Sequence, residues 1–210
     1  MVPAKKSELT RAKIIDAAGR LFAERGFKGV TVRDIAKHAD THLSALNYHF
    51  QSKDMLYREV LAFAAEGASI SESDQRDLRR LKPRQALFIM IKESLREYRD
   101  DAVDTWQNAL LNRAAWEGSE AFDEVVERYY RPDAAFASEI VAAATDQPVG
   151  SEYVGFAVFT MVALLETFGL YGHLTEATLP GFNQAFAKKD KLAKHITTLV
   201  LAAANPSLEA

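Results

Sequence analysis

The chain has 210 residues, 48% of them apolar, enough to bury a substantial core; a small domain joined to a larger one is the expected arrangement. It contains no cysteine, which excludes a disulfide framework and any cysteine-based metal or nucleophile site, and a reducing cytoplasm fits that composition. The net charge of -3 hides an asymmetry: residues 1–60 carry 11 Lys and Arg against 7 Asp and Glu, the remainder 15 against 22, so a basic segment suited to a polyanion precedes an acidic body.

The opening residues, Met1 to Lys6, have no apolar run after their basic pair, so secretion is not expected and the chain is placed in the cytoplasm. Ile14, Ala17, Ala18, Leu21 and Phe22 recur at helical spacing and Gly26 supplies a stop, which predicts a first helix over about residues 10–25. Thr31-Val-Arg-Asp34 has the spacing of a capping box and opens a short second helix with Val32, Ile35, Ala36 and Ala39 as its apolar stripe. Asp40-Thr41-His42 is a polar break. Leu43, Leu46 and Phe50 then give a third, short apolar face over about residues 42–50, and Ser52 is the expected N-cap of a longer fourth helix through Phe63.

The polar run SISESDQRD, residues 69–77, reads as a linker. Helical patterns follow at about 83–99, 102–116, 119–145, 151–174 and 182–204, with breaks at Pro83, Gly118, 146–150 and 178–182, and Pro132 is expected to kink or split its helix. No alternating strand pattern competes, so the fold is all-α. The most apolar stretch, residues 153–165, is uncharged but shorter than the roughly 20 residues a membrane span needs, so it is a buried helix and no membrane partner is expected.

Two short helices joined by a tight turn and leaning on a third make a helix-turn-helix, whose second helix lies in the DNA major groove. If Leu46 and Phe50 face the bundle, Ser44, Ala45, Asn47 and Tyr48 face outward, small or hydrogen-bonding residues able to approach base edges. Asn47 suits adenine. Thr31, Tyr48, His49 and Lys53 offer hydroxyl, imidazole and ammonium groups to phosphates.

The stretch TRAKIIDAAGRLFAERGFKGVTVRDIAKHADTHLSALNYHFQSKDMLYREVL, residues 10–61, resembles the N-terminal domain of TetR/AcrR transcriptional regulators, with AAGRLFAERGF, TVRDIAKHA and LNYHFQSKDMLY carrying the likeness. The resemblance implies a three-helix helix-turn-helix domain over residues 1–53, and DNA contacts on Thr31, Arg33, Leu43, Ser44, Asn47, Tyr48, His49 and Lys53. Asp40 stands where the family's turn glycine is frequent, a position an aspartate can fill in the left-handed region. Asn47 stands where many members have tyrosine, and the operator sequence is not implied.

By position, the resemblance also implies that residues 54–210 form a larger helical domain for ligand sensing and dimerisation. Trp106, Gln107, Asn112, Arg113, Trp116, Phe168 and His173 are the candidate ligand-binding residues, chosen as aromatic or polar groups within apolar helices. The last two helices are apolar over more than one face and predict a symmetric homodimer through Phe156, Phe159, Ala163, Leu192, Ile196 and Leu199.

The five histidines show no H-E-x-x-H spacing and no nucleophile elbow or glycine-rich phosphate loop occurs, so neither a metal, a cofactor nor catalysis is expected. The function expected is a one-component transcriptional repressor, released from a near-palindromic double-stranded DNA operator by a small-molecule effector. The competing reading is an all-α ligand-binding or scaffold protein whose N-terminal helices contact protein.

Overall fold

The computed structural model describes residues 3–97, 106–170, 176–181 and 189–205. The chain divides into two compact units, residues 1–69 with 104–130 and residues 70–103 with 131–210. Both are all-α, and no strand occurs among the described residues.

The first unit is built on α1 (Pro3–Arg25), seven residues longer at its start than periodicity predicts. Helices α2 (Val32–His38), α3 (Leu43–His49) and α4 (Lys53–Ala68) follow it closely in the chain. The expected caps are present at α2 and α4: the Ser52 hydroxyl oxygen accepts the Met55 amide at 3.1 Å. Helices α7 (Trp106–Glu117) and α8 (Glu120–Val125) complete this unit. Its core joins Ile14, Ala18 and Phe22 of α1, Ile35, Leu46, Phe50, Leu56 and Leu61 to Leu110 and Ala114 of α7.

This division corrects the boundary expected after residue 53. Leu56, Val60 and Leu61 of α4 are fully buried in the same core as α1, so the helix cannot belong to a separate domain. Nor does α7. At its crossing with α1, Gly19 lies so close to the Trp106 ring that a Cβ would stand 2.3 Å from it. Arg58 of α4 fastens α8 through Glu120, at 3.3 Å, and Glu124, besides its own-helix partner Asp54 at 2.8 Å.

The second unit holds α5 (Glu72–Arg79), α6 (Pro83–Glu97), α9 (Arg131–Thr145), α10 (Glu152–Leu170) and α11 (Lys189–Ala203). Leu87, Ile91, Phe136, Val141, Val154, Ala157, Ile196 and Val200 form its core. Helix α5 corrects the linker expected over residues 69–77. Ser71 caps it through the Asp74 amide at 3.1 Å, Glu72 and Asp74 sit in its first turn and Arg76 and Arg79 in its last, and Leu78 is buried. Capping and the helix dipole thus offset a sequence with almost no apolar face. Immediately before Pro132 the chain winds as a π-helix over Val126–Tyr130, where a ring with no N–H to donate would otherwise meet the carbonyl four residues back. No helix among the described residues is long and apolar enough to cross a membrane.

Candidate nucleic-acid interface

The entry to α2 is closed reciprocally. The Thr31 hydroxyl oxygen accepts the Asp34 amide at 3.2 Å, the Thr31 amide donates to Asp34 Oδ2 at 2.9 Å, and the hydroxyl itself donates to that oxygen at 2.6 Å. The Thr31 hydroxyl and then its amide hold the Asp34 carboxyl below its ordinary range. Thr31 is exposed, yet its hydroxyl proton is already committed to the cap. Arg33, the second residue of α2, is exposed and makes no ion pair among the described residues.

The turn between α2 and α3 reverses at Asp40, which sits in the left-handed region at φ 48°, as expected of an aspartate at a glycine's place. The Thr41 amide donates back to the Ala36 carbonyl at 3.0 Å, so α2 ends in a Schellman-type closure. The break is short and stiff.

Leu46 of α3 and Phe50, the C-cap that follows it, are each 1% exposed and lock the helix onto the unit's core. Ser44 and Asn47 face solvent, Tyr48 is 81% exposed and Leu43 is 37% exposed. His49 is half-buried, with its ring 5.2 Å from Tyr48 and 6.2 Å from Phe50. One short helix therefore spends two apolar residues on its own packing and offers the rest of its surface outward. An exposed tyrosine beside an amide and a hydroxyl can hydrogen-bond base edges and phosphates alike.

Lys53 is placed differently from the expectation that it would offer its ammonium to phosphate. Its Nζ donates to the Phe27 carbonyl at 2.9 Å and the Val30 carbonyl at 3.0 Å, so it turns back onto the protein. Nothing in the local spacing signals this, because the accepting carbonyls lie 23 and 26 residues away.

The ligand candidates do not come together. Trp106, Gln107, Asn112, Arg113 and Trp116 all lie on α7, in the first unit. Trp106 is 7% exposed and its indole N–H donates to Asp16 Oδ1 at 2.9 Å; that bond, after the larger one from Arg20, helps hold the Asp16 carboxyl below its ordinary range. Arg113 donates to the Ala23 and Glu24 carbonyls at 3.0 and 3.2 Å, making it a C-terminal cap of α1 rather than a ligand group. Asn112 is half-buried and Trp116 is 92% exposed. Trp106 and Gln107 line a cleft of about 260 Å³ with Ile15, Asp16 and Phe63. The Phe168 side chain and His173 lie outside the described residues.

The dimer candidates separate into two groups. Phe156 (58% exposed), Phe159 (71%) and exposed Ala163 follow one another at helical spacing on α10, with Val162 beside them, and Leu199 of α11 is 39% exposed. Leu192 and Ile196, in contrast, are buried in the second unit's own core and cannot meet a partner. They occupy the inward face of α11, and the outward face falls to Leu199.

Comparison with known proteins supplies an independent line. Residues 14–60 match the family model described as bacterial regulatory proteins, tetR family, and residues 83–204 match that of the C-terminal domain of the HTH-type transcriptional dual regulator CecR. The probable HTH-type transcriptional regulator YttP of Bacillus subtilis is 40% identical over 60 residues, 29% of each chain. The HTH-type transcriptional repressor KstR2 of Rhodococcus jostii is 45% identical over 51 residues, 24% of this chain and 25% of that protein. The matched stretch thus spans 29% of the first relative's length and 25% of the second's. The solved structure of AibR with isovaleryl coenzyme A and operator DNA overlays with a TM-score of 0.62 at 14% identity, covering 90% of this chain and 97% of that one.

Proposed function

We propose that this chain, which belongs to the tetR family of bacterial regulatory proteins and carries a C-terminal domain of the CecR type, is a DNA-binding transcriptional repressor that a small-molecule effector releases from its operator. The observation that carries the reading is the two-faced α3, anchored by Leu46 and Phe50 and offering Ser44, Asn47, Tyr48 and Leu43 to the outside. Asn47 and Arg33 read base edges; Tyr48 and His49 lie on the phosphate backbone, while Thr31, both of whose donors go to Asp34, holds the start of α2 in place. The DNA-binding domain is not residues 1–53 alone but extends through α4 and takes α7 and α8 as part of its body.

The protein works as a homodimer, joined through the stripe Phe156, Phe159 and Ala163 with Leu199. Two-fold symmetry then places the two α3 helices about one DNA turn or a multiple of it apart on a near-palindromic operator. Its work is binding, in the cytoplasm, and not turnover.

The effector acts by population shift: it binds the form that does not fit the operator better than the form that does, and each tenfold preference moves the balance by about 1.4 kcal/mol. AibR's isovaleryl coenzyme A makes acyl-coenzyme A thioesters the first class to screen.

The test is a fluorescence-anisotropy titration of the purified protein against the DNA upstream of its gene, with an unrelated duplex of equal length, at several salt concentrations. Tight binding that survives competitor and loosens steeply with salt supports the reading, since each neutralised phosphate contributes roughly 0.9 to the slope of log affinity against log salt. Arg33→Ala and Asn47→Ala should each relax sequence preference, by about 1–3 kcal/mol per base read. Failure to bind any duplex at low salt would transfer the N-terminal helices to a protein partner.

A further inference from the structure

The turn at residues 26–31 joins α1 to the N-cap of α2 and is wound tightly. Gly26 leaves α1 at φ 71°, and a Cβ on Gly29 would stand 2.4 Å from the Arg25 carbonyl oxygen. Carbonyls inside such a turn have no helix or strand partner and need another donor. Two of them, on Phe27 and Val30, converge on the single ammonium of Lys53. The same ammonium stands 4.2 Å from the centroid of the Phe27 ring, which itself packs against Phe22 and Tyr57 with centroids 6.1 and 5.0 Å away. Lys53 is half-buried, and its stem spans from the first residue of α4 back to the turn.

An ammonium has three N–H donors, and two of these are taken by the carbonyls. Val30 immediately precedes Thr31, the N-cap of α2, so the bond fixes the very start of the helix-turn-helix. We propose that Lys53 is a positioning residue: it clamps α4 to the turn ahead of α2 and so sets the orientation in which α2 and α3 meet DNA, instead of supplying a phosphate contact. The clamp exists in the free protein, whereas its bearing on DNA rests on the function proposed above.

The two roles leave different signatures. A phosphate contact releases a counterion and strengthens binding to every sequence alike, while a clamp matters only where base edges must be met in register. Lys53→Met keeps most of the stem over Phe27 and removes the donors. Full-length wild type and variant would be titrated across salt concentrations against a duplex selected by the wild type from a random-sequence pool, and against an unrelated duplex. In parallel, amide hydrogen exchange of both proteins would be followed without DNA.

The expected result is about a tenfold or greater loss on the selected duplex, the factor that one or two charge-assisted hydrogen bonds carry, with the unrelated duplex little affected and the salt slope unchanged. Exchange at residues 26–31 should quicken by a similar factor in the DNA-free variant. An equal loss on both duplexes with a slope smaller by about one unit would make Lys53 a phosphate contact and overturn the proposal. Unchanged exchange at the turn would overturn it as well. If the wild type selects no duplex, the DNA-binding reading fails and the exchange measurement alone still decides the clamp.

Should Lys53→Met not fold, Lys53→Arg keeps the charge but replaces the compact ammonium by a planar fork. A fall in preference for the selected duplex at constant salt slope supports the clamp, and full retention of preference overturns it.

Discussion

Helices α3 and α7 belong to the same unit, yet they present opposite problems to a reader of sequence. On α3 the apolar residues are few and spaced so that Leu46 and Phe50 leave one face free, and the free face carries the chemistry. On α7 the aromatic and polar residues that suggest a pocket are engaged internally: Trp106 with Asp16, Arg113 with the end of α1. A polar side chain within an apolar helix is thus as often the cap or hydrogen-bond partner of a neighbouring helix as a ligand contact.

The largest effect is expected at the anchor of α3. Phe50→Ala should cost about 3–5 kcal/mol, the cost of a large buried aromatic truncation, and should abolish DNA binding together with stability in a urea titration. If it left stability unchanged, α3 would not be held by its two inward residues.

A second change probes α7. Gly19→Ala puts a methyl group against the Trp106 ring and should destabilise by about 1–3 kcal/mol, as overpacking does. Gly67→Ala, on α4 with nothing within 4 Å of the new Cβ, should instead stabilise by about 0.5–1 kcal/mol through helix propensity. Equal effects from the two would mean that α7 does not press on α1 as described.

The smallest effect concerns the start of α2. Thr31→Ala removes the cap and should cost about 1 kcal/mol near neutral pH, measured by denaturant midpoint. The sign with pH follows from Asp34, whose carboxyl is held below its ordinary 3.8 by Thr31. A depressed carboxylate adds stability that is present above the unfolded value and disappears as pH falls through the lower folded one. The gap between wild type and variant should therefore narrow below about pH 3.8. A gap that stayed constant down to pH 2 would separate the cap from the carboxylate.

Much of the first unit was legible because its signals are local. The Thr31–Asp34 box, the Ser52 cap and the Leu46–Phe50 pair all act within four residues, so spacing alone specifies them. Helix α5 escaped because it has a single buried residue, Leu78, and is stabilised by its ends, which a search for apolar periodicity does not weigh. The unit to which α7 belongs was illegible for another reason: periodicity reveals that a helix buries a face, never which helix it buries against. Lys53 and Arg113 fall under the same limit, since each serves carbonyls far away in the chain. Helix α11 is apolar on both sides, so its spacing does not reveal which side turns inward; burial puts Leu192 and Ile196 on the inner one.

The chain's two tryptophans, Trp106 and Trp116, are 7% and 92% exposed and both lie in the first unit. Nature has thus left a pair of optical labels on one half of the molecule only: an emitter that aqueous quenchers reach freely and another that they reach only once α7 leaves α1. Tryptophan emission will follow the melting of the first unit, while far-ultraviolet dichroism follows the helices of both. Agreement of the two curves would show that the halves melt as one cooperative body, and divergence would show the order in which they come apart.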